Sequence, residues 1–388
     1  MPSAEEFRSL FALDPEVVFL NHGSFGAAPR QVLDYQAELQ RRLEQNPVAF
    51  LKREAPGLRD ETRSALAGYL GADADGLGLL PNATTGINAV ARSLRLGPSD
   101  EIVLTDHEYG AMRLLWEEVA ARSGSRLVLV SLPAPYEDPD AVVDAFSAAL
   151  TSRTRVVFFS HITSLSAIVL PARELCALAR EAGAVSVVDG AHAPGQIDLA
   201  LAEVGADCYA GNAHKWLCAP KGSAFLYAGE AAREWVGADI VSWGWTWNGE
   251  DAFRGRFSSR GTTDPSALLS IPEAIRFQQE HDWPEVRRRC RALAEDTADR
   301  LVAELGAVEL AARPLQAPQM VSVSLARAEP DELERALWEQ YRIELPVDRL
   351  LDLVVARLSV QAYTTAADCD ALVLAMVRLA SHALGRST

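Results

Sequence analysis

Between residues 100 and 228, short β-rich runs alternate with amphipathic stretches of helical periodicity. The runs cover residues 101–105, 126–132, 155–160, 184–188, 208–211 and 223–227. Strands that alternate with helices form βαβ units, so this region predicts an α/β fold with a mainly parallel, mixed sheet flanked by helices. Ligands of such sheets bind beyond the carboxyl ends of the strands, and the residues that follow each run are therefore candidates for a site.

Beyond about residue 270 the pattern changes. The helical stretches are 272–281, 283–305, 331–341 and 365–384, and the strand-like runs are 321–325 and 355–360. This order predicts a smaller α+β domain at the C-terminus. We expect three units: an N-terminal segment (1–30) that contributes to a cleft or to the small domain, a large ligand-binding domain (31–268) and a small C-terminal domain (269–388).

Composition argues against several classes of protein. Acidic residues outnumber basic ones 53 to 37, so we expect no nucleic-acid partner. The five cysteines are scattered and form no C-x-x-C pair, which argues against a disulfide framework or a zinc cluster and favours a reducing cytoplasm. No apolar run is long enough to span a bilayer, and the first 25 residues do not resemble a signal peptide. We expect a cytoplasmic protein with no membrane partner and no metal.

Lysine is scarce, and this makes the candidates for amine chemistry few. The chain contains only Lys52, Lys215 and Lys221. Lys215 follows the run at 208–211, and Asp189 and His192 follow the run at 184–188. A lysine and a carboxylate at neighbouring strand ends suit pyridoxal phosphate, because the amine forms a Schiff base and the carboxylate keeps the pyridine nitrogen protonated. Taken singly, the aspartate is typical of a helix cap and the lysine of a surface turn.

The phosphate of such a cofactor needs a site of its own. Residues 82–88, with the sequence Asn-Ala-Thr-Thr-Gly-Ile-Asn, precede a helical run at 89–94. Backbone N–H groups and threonine hydroxyls at the start of a helix bind anions. We therefore predict that the phosphate lies against this segment.

Four motifs, in order, resemble fold-type I pyridoxal phosphate enzymes of the aminotransferase class V family, and within it the isopenicillin N epimerase-like branch. They are Asn21-His22-Gly23-Ser24-Phe25-Gly26, Asp189-Gly190-Ala191-His192, His214-Lys215-Trp216 and Arg357-Leu358-Ser359. The resemblance extends from about residue 17 to 365. It implies the fold of that family, with a large α/β domain and a smaller C-terminal α+β domain.

The resemblance also implies roles for individual residues around the cofactor. Lys215 is the Schiff-base lysine, Asp189 the partner of the pyridine nitrogen, His192 a contact on the side of the ring hydroxyl, and Tyr109 the aromatic ring that stacks on the cofactor. The positions on the phosphate side are Ala83, Thr84, Asn212 and His214. Thr262 matches a threonine that reaches the phosphate of the neighbouring subunit, which implies a homodimer.

On the substrate side, the resemblance assigns Arg357 to the α-carboxylate, with Asn21 and His22 as further substrate contacts. The planar guanidinium suits that task, although a structural aspartate is an alternative partner. Ala167 departs from the glycine that relatives often carry in the loop after the run at 155–160, which leaves the shape of this loop open.

Two further patterns concern the surface and the chemistry. Trp243, Trp245 and Trp247 alternate, so they are predicted to face one side of a strand, either as a substrate wall or as a subunit contact. No cysteine lies in a catalytic loop near Arg357, which counts against persulfide-forming cysteine desulfurase chemistry.

The predicted function is an enzyme in which Lys215 removes the Cα proton of an amino acid or of a larger molecule with an amino-acid end. Epimerisation or C–S cleavage of a cysteine-containing small molecule is favoured. A class V aminotransferase or a decarboxylating deaminase is the alternative. A non-catalytic binding or regulatory protein of the same fold is a third hypothesis, and the intact set of Asp189, His192, Lys215 and Arg357 argues against it.

Overall fold

Two main β-sheets organise the chain. The computed structural model describes residues 2–132, 134–247, 252–326 and 328–385. The strands are β1 (Val18–Phe19), β2 (Leu77–Leu80), β3 (Glu101–Thr105), β4 (Arg126–Val130), β5 (Thr154–Ser160), β6 (Val185–Asp189), β7 (Cys208–Asn212), β8 (Ala224–Ala228), β9 (Val308–Glu309), β10 (Met320–Leu325), β11 (Ile343–Glu344), β12 (Val347–Leu350) and β13 (Leu353–Ser359).

Helices surround both sheets. They are α1 (Ala4–Ser9), α2 (His22–Phe25), α3 (Arg30–Gln45), α4 (Pro47–Ala49), α5 (Ala55–Leu70), α6 (Ala83–Ser93), α7 (Gly110–Ser123), α8 (Pro139–Ala149), α9 (Ala172–Glu181), α10 (Leu201–Val204), α11 (Ala232–Trp235), α12 (Ala252–Ser258), α13 (Ser266–Leu269), α14 (Ile271–Glu280), α15 (Trp283–Leu305), α16 (Pro330–Tyr341) and α17 (Ala366–Gly385). A π-helical stretch (Phe50–Glu54) joins α4 to α5.

The large sheet has the strand order β2-β8-β7-β6-β5-β3-β4. Strands β3 to β7 pair in parallel, whereas β8 is antiparallel to both of its neighbours. Both faces are covered, as the composition of β5 shows: Val157 and Phe159 pack into one core, and Val156 and Phe158 into the other. The mainly parallel, mixed sheet predicted from the sequence is confirmed.

Helix α6 begins earlier than the sequence pattern suggests. The apolar run marks its later turns, but the side chain of Asn82 accepts a hydrogen bond from the backbone N–H of Thr85 at 2.8 Å and caps the helix. The predicted start at residue 89 is therefore wrong. Ala83 and Thr84 form the first turn of the helix, at the carboxyl end of β2.

The small sheet has the order β12-β13-β10-β9 and packs against the C-terminal helices. The N-terminal segment joins this part of the protein, because β1 pairs with β11 and Asn21 bridges to Ser359 at the end of β13. This contact brings residues near the two ends of the chain to one place. The unit boundaries at residues 30 and 268 stay a prediction.

The tryptophan cluster does not lie on a strand, so that prediction was wrong. Trp243–Thr246 form a short 3-10 helix, and the indole N–H of Trp245 donates to the Ile240 carbonyl at 3.0 Å. The turn is tight because Gly244 packs against the carbonyl of Gly255, where a Cβ would overlap it. Trp243 is 81% exposed.

The remaining expectations about the chain concern its cysteines and membranes. All five cysteines are buried free thiols, including Cys176 on α9 and Cys369 on α17. Among the described residues, no helix has the length and apolar character that a bilayer crossing requires.

Candidate active site

The candidate site lies where the central strands of the large sheet end. Ser160, Asp189 and Asn212 are the last residues of the neighbouring strands β5, β6 and β7. Because these strands are parallel, their final residues meet at one edge, and Lys215 follows in the loop after β7.

Lys215 is partly buried, and its amine contacts the histidine predicted to lie beside it. Its Nζ lies 3.0 Å from Nε2 of His192, and the indole N–H of Trp216 donates to Nδ1 of the same imidazole at 3.2 Å. Burial, with the positive charge of Arg357, lowers the pKa of Lys215 to about 7. A large share of the amine is therefore neutral, and thus nucleophilic, near neutral pH.

Asp189 is a buried carboxylate at the base of the site. It accepts a hydrogen bond from the N–H of Ala191 at 2.9 Å, and burial raises its pKa. No arginine or lysine forms an ion pair with it among the described residues. A buried carboxylate with spare acceptor capacity suits a protonated ring nitrogen.

The residue after Asp189 must be small. A Cβ at Gly190 would overlap the ring of Tyr209, which packs directly against the backbone at this point. The hydroxyl of Tyr209 lies 2.9 Å from Nδ1 of the buried His161. The glycine therefore lets an aromatic ring support the loop that carries Asp189 and His192.

Arg357 lies on β13 and crosses from the small sheet to this site. Its Nη1 donates to the Ser164 carbonyl at 2.7 Å, and its Nη2 donates to Asn21 Oδ1 at 3.2 Å and to Ser24 Oγ at 2.9 Å. Burial lowers the pKa of Arg357 to about 10. All of these partners are neutral, and Nε has no partner among the described residues.

Comparison with known proteins agrees with this geometry. A sequence model of the family described as aminotransferase class-V matches residues 18–372. The chain belongs to this family. The family confirms the predicted cofactor, pyridoxal phosphate, and the buried Lys215 amine and Asp189 carboxylate fit that group.

Curated relatives of this chain include epimerases and cysteine desulfhydrases. Isopenicillin N epimerase from Streptomyces clavuligerus is 40% identical over 383 residues, which cover 95% of this chain and 96% of the relative. Isopenicillin N epimerase from Amycolatopsis lactamdurans is 39% identical, with coverage of 96% and 97%. A probable chloroplastic L-cysteine desulfhydrase from Arabidopsis thaliana is 30% identical, with coverage of 89% and 78%.

Solved structures share the fold of this chain. Cysteine desulfurase CsdA from Escherichia coli has a TM-score of 0.82 at 23% identity, with coverage of 97% of this chain and 98% of that one. A mutant of C-DES, with glycine covalently linked to its PLP cofactor, has a TM-score of 0.85 at 23% identity, with coverage of 97% and 99%. These likenesses confirm the predicted fold.

Of the residues predicted to face the phosphate, Ala83, Thr84 and Asn212 meet at the start of α6. Asn212 Oδ1 accepts a hydrogen bond from the Ala83 N–H at 2.8 Å, so these two groups satisfy each other. Thr84 is exposed, and its hydroxyl has no hydrogen-bond partner in the part of the chain that the structure describes. His214 Nδ1 lies 3.1 Å from the Ser223 carbonyl. Their role toward the phosphate stays a prediction.

His22 and Asn21 were both predicted to contact the substrate, but the two side chains lie in different places. It is buried beneath the peptide of Lys215, where Nε2–H donates to the Lys215 carbonyl at 3.0 Å and Nδ1 lies 2.8 Å from the Tyr363 hydroxyl. A carbonyl only accepts, so Nδ1 accepts from Tyr363. Burial lowers the pKa of His22 to about 3, and the ring stays neutral. Its contacts support the lysine loop, whereas Asn21 contacts Arg357 directly.

The loop after β5 places Ala167 in a backbone conformation that glycine adopts easily. Ala167 adopts φ +56° in a fully buried position, a left-handed conformation that costs an alanine about 1–2 kcal/mol. The same loop supplies the Ser164 carbonyl to Arg357 and the Ser166 hydroxyl to His107 Nδ1, at 3.0 Å. The departure from glycine therefore leaves the loop able to hold Arg357.

Tyr109 and Thr262 are both exposed, and their roles toward the cofactor stay predictions. Tyr109 precedes α7 and is 49% exposed, and Thr262 is exposed in the loop between α12 and α13. Neither side chain has a hydrogen-bond or ring partner in the described ranges. A ring that stacks on a cofactor, or a hydroxyl that reaches another subunit, requires such exposure.

Glu108 is a partly buried acid close to the site that the sequence did not predict. Glu108 accepts hydrogen bonds from the hydroxyls of Thr105 and Ser160, each at 2.6 Å, next to the strand end that carries Asp189. Burial, with a contribution from the charge of Asp189, raises the pKa of Glu108 to about 7. Its position directly before Tyr109 was the available signal.

We predict that Lys215 alone carries the cofactor. Because its buried amine is largely neutral above about pH 7, whereas Lys52 and Lys221 are exposed, borohydride reduction of the loaded enzyme should fix a pyridoxyl group on the peptide containing Lys215. Lys215→Ala should lose that label, and the matched control Lys221→Ala should keep it. A pyridoxyl group on Lys52 or Lys221 would overturn the assignment.

Proposed function

We propose that this protein is a pyridoxal phosphate enzyme that removes the Cα proton of an amino acid, or of a small molecule with an amino-acid end, and epimerises it or cleaves a C–S bond. A cysteine-containing substrate is favoured. The observation that carries the proposal is a buried, unpaired guanidinium, Arg357, beside a buried amine, Lys215.

The surroundings of Arg357 favour a substrate carboxylate over a structural ion pair. A buried cation is costly unless it is paired, and the described residues place no aspartate or glutamate within ion-pair distance of it. Its contacts are the carbonyl of Ser164, the amide oxygen of Asn21 and the hydroxyl of Ser24. These neutral groups orient the guanidinium and leave its charge for a ligand.

The chain's own residues then perform the proton transfer. When bound, the cofactor supplies an electron sink for the charge that develops at Cα. Arg357 holds the carboxylate and fixes the orientation of the Cα–H bond. Lys215 accepts the proton at Nζ, and His192 contacts this amine. Asp189 would hold the protonated ring nitrogen of the cofactor at the base of the site. The buried setting excludes water from these groups.

The cysteines argue against persulfide chemistry on the enzyme. All five are buried, and burial raises the pKa of each thiol, to about 12 for Cys176 and Cys290 and to about 11 for Cys369. A nucleophilic sulfur requires an accessible thiolate. These thiols therefore do not suit a sulfur-accepting role, and they support a reducing, cytoplasmic location.

Among the remaining reactions, sequence similarity favours epimerisation first. The two isopenicillin N epimerases are about 40% identical over nearly the full length of both chains, whereas the desulfhydrase is 30% identical. Transamination and decarboxylating deamination use the same groups and are the alternatives. A non-catalytic role is disfavoured because Asp189, His192, Lys215 and Arg357 are all present and gathered at one site.

A single substrate panel separates these reactions, and we expect it to show exchange at Cα. The loaded enzyme is offered isopenicillin N, S-substituted cysteines and cysteinyl peptides in deuterated water. Deuterium at Cα with inversion identifies an epimerase, and release of pyruvate with a thiol identifies a C–S lyase. Amino transfer to a keto acid identifies a transaminase. No exchange and no spectral change with any member would contradict the proposal.

Arg357→Leu should raise KM and lower kcat/KM by about 10²-fold to 10³-fold, because the substrate carboxylate loses its charged partner. Arg357→Lys should recover only part of this, since an ammonium lacks the bidentate fork. Steady-state kinetics on a substrate identified by the panel measure both variants.

The control for Arg357→Leu is Arg289→Leu. Arg289 donates to the carbonyls of Pro2 and Ala362. Its loss removes an arginine that binds only backbone carbonyls in these contacts, so kcat/KM of Arg289→Leu should stay close to the wild-type value. Arg357→Leu should retain cofactor loading and thermal stability. A folded, loaded Arg357→Leu enzyme with unchanged kcat/KM would exclude the substrate role.

We propose, further, that the enzyme is a homodimer whose sites Thr262 completes across the interface. Its exposure, and that of Val241 and Trp243, support a surface that a second copy covers.

Two inactive proteins, Lys215→Ala and Thr262→Arg, are mixed and reassembled. If Thr262 acts in trans, the hybrid has one intact site and the mixture regains about a quarter of the wild-type activity. No recovery from demonstrated hybrids would contradict this arrangement.

A further inference from the structure

We propose that Trp216 is a positioning residue that holds His192 as the tautomer with hydrogen on Nε2, so that His192 donates a hydrogen bond to Nζ of Lys215. The inference rests on Lys215 being the reactive amine of the proposed function. It concerns the cofactor-free protein, so it is tested without turnover.

The indole of Trp216 determines which nitrogen of His192 carries hydrogen. An indole N–H only donates, and Trp216 Nε1 lies 3.2 Å from His192 Nδ1. Nδ1 must therefore present its lone pair. Burial, with the nearby positive charges, lowers the pKa of His192, so the imidazole is neutral and its one hydrogen lies on Nε2.

The second step concerns the amine. Nε2 of His192 lies 3.0 Å from Nζ of Lys215. An Nε2–H can be paired with this nitrogen only if Nζ accepts, and an amine accepts only when it is neutral. An ammonium would instead place two donors against each other. The tautomer set by Trp216 therefore favours the neutral, nucleophilic form of Lys215.

The other groups near Lys215 act on it independently of Trp216. Those that face it are Asp189 from β6, His214 from its own loop, His22 from α2 and Arg357 from β13. Asp189 favours the ammonium, and Arg357 favours the amine. His22 and His214 are neutral near pH 7, because burial lowers the pKa of His22 to about 3 and that of His214 to about 4. The hydrogen bond from His192 adds to these charge effects.

Trp216 is held firmly enough for this task. Its side chain is fully buried, its ring lies against His22 with 4.9 Å between centroids, and its carbonyl accepts a hydrogen bond from Gln278 Nε2 at 2.8 Å. His192 is held from the backbone side, because its carbonyl accepts from Gln196 Nε2 at 2.9 Å.

The experiment removes the indole N–H alone. Benzothienylalanine, introduced at position 216, keeps the shape of tryptophan and replaces N–H with sulfur, and Trp216→Phe is the second variant. On cofactor-free protein, ¹⁵N NMR of labelled histidine reports the tautomer of His192, with His192→Gln identifying its signal. The wild-type protein should show hydrogen on Nε2, and both variants should populate the Nδ1–H form.

The second readout is the reactivity of Lys215. In the variants, Nε2 can accept from the ammonium, so the pH at which labelling of Lys215 by an acylating reagent is half-maximal should rise by about one unit. Trp116→Phe is the control. Trp116 is equally buried, but it packs against Phe158 in the other core, and its substitution should leave both readouts unchanged.

An Nδ1–H tautomer in the wild-type protein would overturn the inference. So would an unchanged tautomer and labelling profile in the folded benzothienylalanine protein. Neither result would affect the proposed reaction, because the substrate panel reports turnover directly. Failure of the panel with the predicted NMR result would reject the reaction and leave the role of Trp216 standing.

Discussion

Burial of the Lys215 amine is the constraint on which the rest of the site depends. A lysine removed from water loses much of the solvation that favours its ammonium form, and its surroundings decide whether it stays charged. Here Arg357 adds a second positive charge, and Asp189 opposes it. Together, burial and these two charges lower the pKa of Lys215 to about 7, so that its amine can act as a base near neutral pH. The parallel strands make this possible, because their ends bring these groups together.

Close backbone approach holds that arrangement together. Gly26, at φ +70°, lies against the carbonyl of His214, where a Cβ would overlap, so the N-terminal segment packs directly on the lysine loop. Tyr363 and His22 continue this contact to the Lys215 carbonyl. The amine is consequently positioned by residues from both ends of the chain. A change in the small C-terminal part can therefore reach the backbone of Lys215 through two hydrogen bonds.

The sequence predicted what is local. Strands β3 to β8 of the large sheet, and the residues at the ends of β6 and β7, followed from periodicity, and the scarcity of lysine singled out Lys215. Strand β2 (Leu77–Leu80), at the edge of the same sheet, was not predicted. Features that depend on tertiary contact did not follow. The hydrogen bond between His22 and Tyr363 joins residues 341 positions apart, and no spacing rule links them. The alternation of the tryptophans predicted a strand, but the segment forms a 3-10 helix. The contact between Gly244 and Gly255 that accompanies this helix forms only in the folded chain, so the alternation did not reveal it.

The contacts of Arg357 come from several separate parts of the fold. It extends from β13, in the small sheet, but its partners come from the N-terminal segment (Asn21, Ser24) and from the loop after β5 (Ser164). Ala167 lies in the same loop and has a left-handed backbone conformation. This local strain occurs in the loop that supplies the Ser164 carbonyl to the guanidinium. Three separate segments thus fix one cation without neutralising it. In the proposed function, a carboxylate-bearing substrate completes the charge pair that the fold leaves open, and this pairing accounts for a preference for amino acids.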